Sequence, residues 1–86
     1  MSISVQCSRD GDGFRCHVDV SEGQATTRHE VRVSGADIKR WARGRSAEDL
    51  VRDSFVFLLQ RESKESILRD FDLSLIKRYF ADYDGG

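Results

Sequence analysis

Few side chains in this sequence are of a type and spacing suited to chemistry. Cys7, Cys16 and His29 are the candidates for metal or redox work, and Ser54 beside Asp53 is the candidate nucleophile. Thiolates and imidazole suit zinc, but a closed structural site takes four ligands in closely spaced pairs. This chain offers three, and His17 falls on the opposite strand phase from His29. No metal site and no cofactor are expected. The cysteines lack C-x-x-C spacing, and nothing basic shares their face to lower a thiol pKa. They read as reduced thiols acting as small buried residues. His29 reads as a core histidine bonded to backbone or to a carboxylate. Ser54 has no base at a readable distance, and no Gly-x-Ser-x-Gly or phosphate-cradling glycine loop occurs. No catalytic residue is assigned, and a non-enzymatic protein is expected.

Two segments suit binding. Lys39, Arg40, Arg43 and Arg45 surround Trp41, four cations in seven residues that could hold phosphates while the indole stacks on a base. A helix-turn-helix drawn over residues 36–59 would set Phe55, Val56 and Phe57 where polar base-reading side chains belong. The competing reading makes Trp41 core and pairs the cations with Asp37, Glu48 and Asp49. A net charge of −1 adds no bulk attraction to nucleic acid or anionic lipid, so nucleic-acid binding ranks second. The terminal Gly85-Gly86 resembles the ends of ubiquitin-like and sulfur-carrier proteins. Their β-grasp folds need strands after the helix, where residues 64–80 repeat at helical spacing instead, which makes this a third reading.

The elements that must position these residues follow from patterning. Eighty-six residues make one domain, burying roughly 60% of the unfolded chain's surface. The longest apolar run, Phe55 to Leu59, is far short of the roughly 20 residues of a membrane span. No export signal is visible, so a cytoplasmic location is expected. Ile3, Val5 and Cys7 alternate with polar residues, Asp10-Gly11-Asp12-Gly13 supplies a tight turn, and Phe14, Cys16, Val18 and Val20 continue the apolar face. With Gly11-Asp12 as the loop, Cys7 faces Cys16, Val5 faces Val18 and Ile3 faces Val20. Thr27, His29, Val31 and Val33 add a third strand.

Ser34 with Asp37, and Ser46 with Asp49, signal helix starts, the first helix ending at Gly44 and the second near Arg61. Short helices over 64–70 and 73–81, or one bent helix across both, complete the chain. The expected architecture is α+β: a three-stranded antiparallel β-meander over residues 1–34, covered on one face by three to four helices over 35–81, with 82–86 a flexible tail. Helix 47–61 is apolar almost all round, which leaves Val56, Phe57 and nearby Tyr79 as the expected partner-binding residues.

TRHEVRV (27–33) and SFVFLLQRESKESILRDFDLSLIKRYF (54–80) resemble a family of short, uncharacterised bacterial proteins with the C-terminal signature SFxFLLxRExxxSILxxFDLxxIxxYF. The resemblance spans nearly the whole chain and implies no known activity. Ser63 and Ala81 stand where that family carries proline. The expected function is a small cytoplasmic interaction protein, acting as a homodimer or as a subunit of a larger protein.

Overall fold

The computed structural model describes Met1–Gly86. Strands β1 (Ser2–Asp10), β2 (Gly13–Glu22) and β3 (Ala25–Val33) form the antiparallel meander. Its register is the one the turn dictates: Cys7 opposite Cys16, Val5 opposite Val18, Ile3 opposite Val20. Gly11 has φ 64°, the conformation that a two-residue hairpin loop demands. Gly13 is required for another reason, since a side chain there would run into the Val33 carbonyl.

Helix α1 (Gly35–Asp37) runs on as a π turn over Ile38–Ala42. Its capping box is complete: the Asp37 N–H donates to Ser34 Oγ at 3.0 Å and the Ser34 N–H to the Asp37 carboxylate at 3.3 Å. It ends at Arg43 and Gly44, both left-handed. Helix α2 (Ala47–Leu59) starts on Ser46, whose hydroxyl accepts from the Asp49 N–H. Its buried stripe, Leu50, Val51, Ser54, Phe55 and Leu58, lies on the sheet. No helix is long and apolar enough to cross a membrane.

The sheet differs from the expected three-stranded meander. A fourth strand, β4 (Asp70–Asp72), pairs with β3 in parallel, giving a mixed sheet of order β1-β2-β3-β4. Of the expected helix 64–70 only a single 3₁₀ turn, Lys64–Ser66, forms, and the last helix shrinks to α3 (Leu75–Tyr79). The reason lies across the sheet. Arg32 on the solvent face of β3 bonds both Asp70 and Asp72, while Phe71 between them turns into the core. The i, i+4 spacing of Ile67 and Phe71 imitates a helix, but three residues alternating out, in, out satisfy a strand equally well.

Two further expectations change. Cys7 and Cys16 are joined as a disulfide. Their Cα atoms lie 4.0 Å apart, as in a non-hydrogen-bonded cross-strand pair, where facing side chains approach closest. Thiol titration of unreduced protein is therefore expected to find no free cysteine, and two after reduction. Because the bond closes a short loop inside an existing hairpin, reduction should cost at most about 2–3 kcal/mol and leave the sheet in place.

The tail 82–86, expected to fray, is anchored. Tyr83 is fully buried, edge-on to Trp41 at 4.9 Å and to Phe57 at 5.2 Å. Its hydroxyl lies 2.6 Å from Ser54 Oγ, which itself donates to the Leu50 carbonyl at 2.7 Å, so the phenol is the donor. Burial pushes the Tyr83 pKa up to about 12.

Candidate functional site

Where the expected helix 64–70 fails to form, the surface opens into a groove of about 400 Å³. After α2 the chain turns at Gln60–Glu62, folding the Arg61 and Glu62 N–H groups back onto the Leu58 carbonyl. The 3₁₀ turn is held by Lys64. Its stem is buried, and its ammonium reaches Glu65 at 2.8 Å and Glu22 at 3.5 Å, so the turn is tied to the end of β2. Glu65 holds this lysine above its usual pKa.

Residues 67–69 then pass beside β3, pinned by two bonds. His29 Nδ1 donates to the Leu68 carbonyl at 2.7 Å, and the Glu30 N–H donates to the Arg69 carbonyl at 2.8 Å. With the main chain fixed this way, Ile67 points into the core and Leu68, 48% exposed, points out. Across the groove, α3 buries Ile76 and presents Tyr79, 70% exposed. Leu58, Ile67, Phe71 and Ile76 make an apolar floor, and Glu62 is the one charged residue in the lining.

His29 is buried at the base of this construction. Its Nε2 accepts from the Thr27 hydroxyl at 2.8 Å, so both ring nitrogens are used by the neutral tautomer. Burial lowers its pKa below the ordinary 6.5. This is the core role expected of it, bonded to backbone, with Phe55 edge-on at 5.2 Å. No group of three His, Cys, Asp or Glu side chains is assembled that could hold a metal ion.

The expected partner-binding residues separate. Tyr79 stands on the groove rim. Val56 is 44% exposed but lies outside the lining. Phe57 is half-buried beneath Phe80, Tyr83 and the Arg61 guanidinium, which sits 3.5 Å over its ring. The anchored tail supplies the cover that sequence reading left to a partner. Leu68 was missed because a helix through residues 64–70 would have put it on the buried stripe beside Ile67.

Within the basic run Trp41 and Arg45 are tied into the structure, while Lys39, Arg40 and Arg43 stay exposed. Trp41 is only 2% exposed, so its ring is not open to a base, and Arg40 lies over its face at 4.3 Å. Arg45 bonds the Ala42, Trp41 and Gly85 carbonyls and Asp53, and Arg43 pairs with Asp84. Lys39 is exposed and makes no ion pair. Gly85 packs on Trp41, and a side chain at Gly86 would lie 2.6 Å from the Asp53 main chain. The two glycines thus line a slot, where a carrier protein would hold them out for an activating enzyme.

No family model matches the chain, and neither a curated protein nor a solved structure is detectably similar to it.

Proposed function

We propose that this is a small, non-enzymatic interaction protein that receives apolar side chains of a protein partner in the groove between Leu68 and Tyr79. The observation that supports this reading is two large apolar side chains held out on opposite rims, above a floor that is itself core. A patch of this kind loses free energy to water until it is covered. The exposure of Leu68 is imposed by bonds to its segment's carbonyls from the His29 ring and the Glu30 N–H, which keep the site formed before any partner arrives. A preformed site avoids the ordering cost that a flexible one carries on binding. The Cys7–Cys16 disulfide is the form that an oxidising compartment keeps, and it weighs against the cytoplasmic setting expected from sequence.

The test uses three versions of the chain as bait in parallel. Wild type and Arg28→Glu, altered on the opposite sheet face, should capture the same protein, and Leu68→Asp should lose it at least tenfold. Each bait must first show wild-type circular dichroism. Equal capture by all three would place binding elsewhere.

A further inference from the structure

The two edges of the sheet are unlike. β4 is three residues long and carries exposed Asp70 and Asp72, the short, charged form of edge that resists pairing. β1 is nine residues long, pairs without a bulge along its whole length, and has no proline. Ser2 to Ser8 carries no charged side chain. None of the main-chain hydrogen bonds formed outside the helices and strands reaches this strand. Since Cys7 sits in a non-hydrogen-bonded pair with Cys16, the alternation of the ladder turns the N–H and C=O groups of Ile3, Val5, Cys7 and Arg9 to the open side.

We infer that the free edge of β1 pairs antiparallel with β1 of a second copy, joining two sheets into one of eight strands. One register uses every free group, with Ile3 opposite Arg9, Val5 opposite Cys7, and Gln6 opposite itself on the two-fold axis. Four such pairs exchange about eight main-chain bonds. An axis normal to the sheet keeps the inward residues of both copies on one face, so the apolar layer continues across the junction. The charges allow it: Arg9 meets Ile3, Asp10 meets Ser2, and no like charges face each other. A strand with a fixed charge at its centre would repel its own copy in this arrangement; this one is neutral there. The second copy is thus favoured over a charged foreign segment. The groove lies at the β4 end, away from this junction, so the dimer would carry two grooves at opposite ends.

Sedimentation equilibrium is expected to give twice the 9.8 kDa chain mass. Arg9→Pro removes one outward N–H per chain and none that β2 uses, as does Ile3→Pro; either should return the mass to one chain with circular dichroism unchanged. Under mild oxidation Gln6→Cys should link two chains through position 6, because paired positions on the axis lie about 4.5 Å apart. Arg28→Cys, on the same face but on β3, should not link. A single-chain mass at the highest soluble concentration would overturn the proposal. So would a double mass that survives both proline variants while Gln6→Cys fails to cross-link. Leu68→Asp should leave the mass unchanged, so failure here and failure of the groove reading are read separately.

Discussion

Removing residues 82–86 should bring this protein close to unfolding. The tail carries Tyr83, packed between Trp41 and Phe57 and bonded to Ser54, together with Asp84 and the Gly85 carbonyl, which hold Arg43 and Arg45. Lys77 closes the same corner by donating to the Tyr83 carbonyl at 3.0 Å. Tyr83→Ala alone leaves a cavity of aromatic size, for which the usual cost is about 3–5 kcal/mol. A chain of this length has about 4–13 kcal/mol in total. Tyr83→Phe should be mild, about 1 kcal/mol, because Ser54 keeps its bond to the Leu50 carbonyl and only the phenol bond is lost. Urea denaturation of the three variants measures the ladder. A truncated chain with the wild-type midpoint would show that the tail does not hold the helices to one another.

The second large effect is on pH dependence, and it runs through His29. In the unfolded chain this imidazole titrates near 6.5, while burial holds the folded pKa lower. Below 6.5 the unfolded state therefore binds more protons than the folded one. The stability His29 contributes is fully present above 6.5 and is lost as pH falls from there toward the folded value, with a slope of up to about 1.4 kcal/mol per pH unit. Protonation reverses the bond with Thr27: Nε2 becomes the donor, and the hydroxyl must turn to accept. The positive charge of Arg69 works in the same direction, and Asp19 works against it.

His17 on the outer face has the opposite sign. The Glu30 carboxylate, 2.8 Å from Nδ1, raises its pKa, so its contribution is present below 6.5 and fades as pH rises through the folded value. His17→Asn should thus steepen the acid loss, and His29→Gln should flatten it. Denaturant midpoints from pH 8 to 5 for the wild type and both variants check this. A His29→Gln variant that loses stability toward acid as steeply as the wild type would contradict the buried, neutral His29.

The hairpin was legible because its signals are local. Asp10-Gly11-Asp12-Gly13 sets the turn, the turn sets the register, and the register puts Cys7 against Cys16. Both capping serines were legible on the same grounds. β4 was not, because the partners that make Asp70-Phe71-Asp72 a strand are Arg32 and the main chain of β3, about forty residues earlier, and no local pattern separates it from a helix. The same misreading hid Leu68. Phe57 went wrong through the tail: Asp82-Tyr83-Asp84-Gly85-Gly86 has the composition of a frayed end, and only the pocket beside Trp41 shows that Tyr83 belongs inside. Tyr79, expected as leftover apolar surface near helix 47–61, is indeed exposed.

The groove stands open and apolar before any partner binds. Amide shift mapping during titration with anilinonaphthalene sulfonate, a dye that seeks apolar surface, tests it most directly. The shifts are expected to concentrate at Ile67, Leu68, Leu75, Ile76 and Tyr79 and to saturate as a single site, with Leu68→Asp abolishing them. Shifts gathered instead along Lys39 to Arg45 or on the outer face of the sheet, or no saturable response, would contradict the account.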